Sequence, residues 1–202
     1  EEDHYHSWRW IPVRGMKLLH TIQWRIALAY TALIVVSMGV VSLYLVNFVR
    51  NTYISNLEEQ LEQEAGLVSE AAARYFRGPL DPADLQMASE RFGKLIQARV
   101  TVIAWDGTVL ADNWEDPSTM ENHAGRPEVQ EALNSDLGRA TRVSATVKQE
   151  LFYTAVPIQV DGTLMGVARV AVPTSQIRAN VNRIIATIAL STLVVAFLSM
   201  GL

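Results

Sequence analysis

The chain has 202 residues, half of them hydrophobic, with a formal net charge of −4 and no cysteine. A mean hydropathy of +0.13 is too apolar for an ordinary soluble domain and too polar for a polytopic transporter. The lack of cysteine excludes disulfides, thiol chemistry and cysteine-ligated metals.

In chain order, residues 1–25 carry Arg9, Arg14, Lys17 and Arg25 against Glu1, Glu2 and Asp3, with Trp8, Trp10 and Trp24 nearby. Ile26 to Val49 follows, twenty-four residues without a charge. A helix needs about 20 apolar residues to cross a hydrocarbon core. The run is too long for the apolar part of a cleavable leader, and no small-residue cleavage site follows it. Basic flanks stay in the cytoplasm and aromatic residues favour the interface, so residues 1–25 are expected inside and residues 26–49 as a first transmembrane helix. Residues 184–202 are a second uncharged run, just long enough to return. Between the runs, residues 50–183 are expected to form one domain on the far side of the membrane from residues 1–25. Eleven Lys/Arg face eighteen Asp/Glu between Asn51 and Asn182, and a loop of that length translocates regardless of charge.

Asn51 to Arg77 reads as a polar continuation of the first span. Ile54, Leu57, Leu61, Val68, Ala71 and Tyr75 recur at spacings of three and four, interrupted at Glu64. Such a stripe either packs on its own domain or joins two copies; a mixture is expected, with the membrane-proximal half dimeric. Gly78 and Pro79 end the helix, and Asp81 with Pro82 opens another that runs to about Gln97. The period then changes. Strands are predicted at 99–105 and 108–112 around Asp106-Gly107, and at 140–147, 151–160 and 163–173, the last two joined by Asp161-Gly162. A short helix is predicted at 126–135, and residues 174–183 are helical and feed the second run. Five antiparallel strands with helices on one face make an α+β layer fold.

The stretches "MENHAGRPEVQEAL", "GRATRVSATVKQELFYTAVPI" and "GTLMGVARVAVP" resemble the extracytoplasmic sensor segment of phosphate-regulon-type sensor histidine kinases. "IQWRIALAYTALIVV" and "NFVRNTYISNLEEQLEQEA" resemble their first span and following helix. The likeness runs from about Met16 to the end. Its sharpest part, "DG.VLAD" followed by "RPEVQEAL" and "YTAVPI", is a mark of PAS-like, single-Cache-type sensor domains. The resemblance implies a five-stranded PAS-like/Cache domain with a long N-terminal helix, flanked by two transmembrane helices. It also implies a homodimer in the cytoplasmic membrane of a bacterium, a lipid bilayer, and a HAMP linker, phosphoacceptor helix and ATP-binding domain beyond residue 202. A response regulator would be met only through that further part. His4, His6, His20 and His123 stand in no phosphoacceptor motif, so no catalysis, cofactor or metal is expected of these residues, and no nucleic acid. Two other readings carry the same architecture: an accessory subunit docking onto membrane proteins, and a chemoreceptor.

In Cache-type domains the ligand lies between the sheet and the loops over it. Asn122, His123 and Arg126 are candidates to line that mouth, or else they form a polar loop capping the helix. A histidine that titrates at about pH 6.5 would also make pH sensing conceivable. Arg142 and Tyr153, on neighbouring strands, are candidates to hold an anion and close a wall, or else are strand surface. Asp112, Glu115, Asp116 and Glu121 match no calcium loop and read as solvated. Glu58, Glu59, Glu62 and Glu64 read as a wet helix face.

Overall fold

Helix α1 runs from Ile22 to Phe76 without a break. The structure, a computed structural model, describes residues 22–78 and 81–200. The basic and aromatic residues before position 22, His4, His6, His20, Pro79 and the last two residues of the second apolar run lie outside the described residues. After α1 come α2 (Pro82–Ile96), β1 (Arg99–Ala104), β2 (Val109–Asp112), a 3-10 turn (Pro117–Thr119), α3 (Pro127–Ser135), β3 (Gly138–Val143), β4 (Glu150–Val160), β5 (Thr163–Pro173) and α4 (Thr174–Met200).

The described residues form two compact units, one of the residues up to Val46 with those from Thr187 on, the other Asn47–Ala186. In the first, Leu33, Val36, Val40 and Leu43 are all more than 60% exposed, as are Leu190, Leu193 and Phe197. Ser42 Oγ and Thr192 Oγ1 lie 2.6 Å apart. Among the described residues one helical stretch, Leu28–Phe76, is long and apolar enough to cross a membrane, with a mean hydropathy of 2.3 in its most apolar window.

The second unit is built on a five-stranded antiparallel sheet of order β2-β1-β5-β4-β3. Side chains alternate between the two faces of a strand, and the sequence uses both. Val100, Val102, Ala168 and Val170 face Leu61, Ala65, Val68 and Ala72 of α1 and Leu85 of α2. On the other face Ile103, Ala155 and Val167 meet Val129 and Ala132 of α3. The expected placement of all helices on one face is therefore corrected: a strand buried on both sides needs cover on both.

Edge strand β2 is closed by a side chain. Gln86 of α2 donates to the Asp112 carbonyl at 2.8 Å and accepts its N–H at 3.1 Å, in place of a further strand. The β4–β5 turn has positive φ at both Asp161 (51°) and Gly162 (77°), the mirror-image turn that its Asp-Gly pair favours. Strand β3 stops at Val143, four residues short of the predicted end. The Lys148 N–H donates to the Ser144 carbonyl at 3.0 Å and Lys148 has φ 54°, so 144–148 fold back as a turn.

Candidate signal-input site

The strand period places Arg99 and Thr101 of β1 on the face that α3 covers. Antiparallel register sets Arg169 of β5 opposite Thr101 on one side and Ala155 of β4 on the other. Asp112 ends β2 on the same face. Four polar side chains are thus delivered to one buried spot: Arg99 and Arg169 are 1% exposed, Thr101 and Asp112 0%.

Their hydrogen bonds form a chain. Arg99 Nε donates to Asp112 Oδ2 at 2.9 Å and Oδ1 at 3.2 Å, and its Nη1 donates to Ser144 Oγ at 3.3 Å. Thr101 Oγ1 donates to Asp112 Oδ2 at 2.7 Å and accepts from Arg169 Nη2 at 3.1 Å. Asp112 Oδ1 also takes the backbone N–H of Trp114 and of Glu115 at 2.9 and 3.1 Å. The loop after β2 therefore begins by folding over the Asp112 carboxylate. The expectation that Asp112 belongs to a solvated acidic loop is overturned.

Glu128 completes the site from the first turn of α3, where a helix N-terminus favours negative charge. Its Oε1 accepts from Arg142 Nη2 at 2.5 Å and Arg169 Nη1 at 3.0 Å; its Oε2 accepts from Arg142 Nε at 3.1 Å. Burial alone would raise the Glu128 carboxyl, but the Arg142 hydrogen bonds and the charge of Arg169 more than offset it and hold it below the usual range. Burial works on Arg142 as well, and its bonds to Glu128 outweigh that and raise it. Arg169 is pushed down, first by burial and then by Arg99, against the pull of Glu128. A guanidinium so placed still keeps its proton. Tyr153, 1% exposed, lies beneath both cations: the guanidinium carbons of Arg142 and Arg169 are 4.2 and 4.9 Å from its ring centre, within cation–π range.

Close packing of α3 on the sheet depends on Gly138, where a Cβ would lie 1.9 Å from the Glu128 carbonyl oxygen. This glycine lets β3 start directly against the helix that carries Glu128.

Arg142 and Tyr153, predicted from sequence, meet in this network. His123 is 3% exposed and stands close enough to be depressed by the network's charges. Burial first, and then Arg169, push its pKa down to about 4. Its Nδ1 lies 2.7 Å from the Glu121 carbonyl, an acceptor, so Nδ1 carries the proton of a neutral ring. A histidine held neutral in this way does not switch at mild pH. Asn122 and Arg126 do other work. Asn122 Nδ2 donates to the Asp106 carbonyl at 2.9 Å and His123 N–H to that of Gly107 at 2.7 Å, fastening the loop to the β1–β2 turn. Arg126 pairs with exposed Glu121 at 3.4 Å. Of the helix stripe, Leu61 and Val68 are 1% and 2% exposed in the domain's own core, Leu57 packs against that core, and Ile54 is exposed. Sequence reasoning missed Arg99, Asp112, Glu128 and Arg169, although an arginine inside the apolar run "GVARVAVP" is a visible anomaly.

Residues 51–173 match the family model described as Single Cache-like. Solved structures that share the fold include the following three. The ligand-binding domain of the Campylobacter jejuni chemoreceptor Tlp3, in complex with 4-methylisoleucine, has a TM-score of 0.57 at 14% identity, covering 81% of this chain and 64% of that one. The sensor domain of the V. cholerae histidine kinase DctB has a TM-score of 0.57 at 20% identity, covering 74% and 59%. The E. coli DcuS sensor domain has a TM-score of 0.51 at 15% identity, covering 62% and 97%. The chain thus spans less than two thirds of the Tlp3 and DctB domains. No curated protein sequence matches it.

Proposed function

The chain belongs to the single Cache-like family, and from that premise we propose that it is the extracytoplasmic sensing and transmembrane signalling part of a sensor histidine kinase of the phosphate-regulon type. Ile26–Val49 and residues 184–202 are its two membrane spans. A stimulus met outside the cell biases two arrangements of the domain, and the bias reaches the spans as a displacement of ~1–2 Å. The stimulus must favour one arrangement over the other, because equal affinity transmits nothing.

The observation that carries this reading is continuity. Helix α1 runs from its uncharged segment into the domain, where Leu61, Ala65, Val68 and Ala72 seat it against the sheet. Strand β5 ends at Pro173 and α4 begins at Thr174, so the strand that holds Arg169 passes directly into the helix of the second apolar run. The likeness to the Tlp3 domain supports a second reading, a chemoreceptor with the same input module.

Both readings place residues 50–183 outside the cytoplasm. The chain has no cysteine, so Leu67→Cys and Thr163→Cys, both at exposed positions, give clean reporters. A membrane-impermeant maleimide should label both in intact spheroplasts; labelling only after lysis would overturn the topology. Phosphate transfer from ATP to a histidine of the full-length receptor separates kinase from chemoreceptor.

A further inference from the structure

Helix α1 carries no charge from Ile26 to Val49 and meets its next charge at Arg50. Arg50, Ile54 and Glu58 follow at intervals of four and so share a face of the helix. Farther along, Leu61, Ala65 and Val68 carry that face into the core. Before them it lines a cleft of about 380 Å³, walled on the other side by Phe152 of β4 and Ile177 of α4. All of these residues from Arg50 on belong to the unit Asn47–Ala186.

Four charged side chains line the cleft: Arg50, Glu58, Glu150 and Arg178. Two of them answer one another. Arg178 Nη2 donates to Glu150 Oε2 at 2.7 Å, and Thr174 Oγ1 donates to the same oxygen at 2.6 Å. The other two, exposed Arg50 and half-buried Glu58, have no ion-pair partner among the described residues. Their Cα atoms stand about 12 Å apart along the helix axis, with Ile54 and Leu57 between them in the lining. From the apolar end of α1 outward, the cleft therefore offers a cation, an apolar strip and an anion. A lone anion would satisfy Arg50 and be repelled by Glu58, and a lone cation the reverse. A zwitterion whose charges are joined by a short apolar link answers both.

We propose that this cleft holds the headgroup of a phospholipid with a primary ammonium group. The phosphate accepts from the Arg50 guanidinium, the ethylene link lies along Ile54, and the ammonium donates to the Glu58 carboxylate. The acyl chains stay in the bilayer. From hydrocarbon outward, such a lipid presents phosphate and then amine, the order of Arg50 and Glu58 along α1. Because α1 and α4 both wall the cleft, one bound headgroup ties the two helices where they leave the domain. The inference rests on the two-span reading for placing the cleft at a membrane surface. Maleimide labelling tests that reading; a domain found inside would turn the cleft to the inner leaflet without altering which headgroup it selects.

The test uses the full chain in detergent micelles, with lipid binding read by native mass spectrometry. Phosphatidylethanolamine, phosphatidylcholine and phosphatidylglycerol of identical acyl chains are compared. Wild type should bind phosphatidylethanolamine about tenfold more tightly than phosphatidylcholine, whose quaternary nitrogen has no N–H to give Glu58. Glu58→Gln should bring the first lipid down to the level of the second, Arg50→Gln should weaken both, and Glu59→Gln should change neither. In native membranes, Thr141→benzoylphenylalanine, at a position in the cleft lining, should capture an ethanolamine phospholipid on illumination; if a charge variant does not fold, this adduct decides. Equal binding of the three lipids by wild type overturns the headgroup class, as does a loss in Glu58→Gln that is the same for all. Displacement by soluble glycerophosphoethanolamine as effective as by the lipid overturns the membrane source. An adduct to a second copy of the chain overturns a lipid as the occupant.

Discussion

The guanidinium carbon of Arg142 lies 4.2 Å from the centre of the Tyr153 ring, although the two residues sit on different strands and are not register partners. Ala140 is opposite Tyr153, and Arg142 is opposite Leu151. The cation therefore reaches diagonally over a phenol ring while its edge holds Glu128, and this face of the sheet becomes a stacked assembly of ring, guanidinium and carboxylate.

Breaking the buried Arg99–Asp112 pair should be severe. Asp112→Ala leaves a buried cation without its carboxylate, a loss of about 3–5 kcal/mol. Glu115→Ala and Glu121→Ala, in the loop beyond, should each stay within about 0.5 kcal/mol. Chemical denaturation midpoints of the three variants check the contrast.

Acid should weaken the domain, and His123 should contribute to the slope. Its folded pKa, about 4, lies below the ordinary value of 6.5. Between those values the unfolded chain binds the extra proton, so stability is complete above pH 6.5 and is lost as pH falls toward 4. The difference corresponds to at most about 3 kcal/mol. Glu128, whose pKa is lowered from 4.5, adds a loss below that value with the same sign. Stability measured against pH should flatten across the upper window in His123→Gln and keep its lower limb.

Homodimer contact is expected at the exposed start of the α1 stripe. Ile54→Cys should crosslink between copies in membranes, whereas cysteines at Leu61 and Val68 should not, because those positions face the sheet. Leu61→Ala should cost about 2–5 kcal/mol in denaturation experiments, as a core residue does.

Gly138→Ala should push α3 off the sheet. The added methyl meets the Glu128 carbonyl oxygen, and overpacking of this kind costs about 1–3 kcal/mol. Thermal unfolding measures the cost, and faster hydrogen exchange in α3 locates it.

Local signals made most of the fold legible. Asp161-Gly162 announced its turn because both residues tolerate positive φ, and the strands showed as β-branched runs. What could not be read was pairing at a distance. Glu128 sits in an ordinary helix start and looks like a surface charge, and nothing beside it in sequence names Arg169, forty-one residues on, as its partner. Asp112 was misread for the same reason: it sits among loop acids in sequence, and the strand parity that turns it inward depends on where β2 ends. Leu61 and Val68 were legible as a stripe, but periodicity does not say whether the stripe's partner is its own sheet or a second chain.

Since Pro173 and Thr174 are consecutive, no linker residue lies between β5 and α4. In the receptor proposed above, the phase carried along α4 is then counted in residues, as on a toothed gear. One alanine inserted after Pro173 would turn everything downstream by about 100°, while seven would return it to within about 20°. Receptor output should accordingly fail with the first insertion and recover with the second.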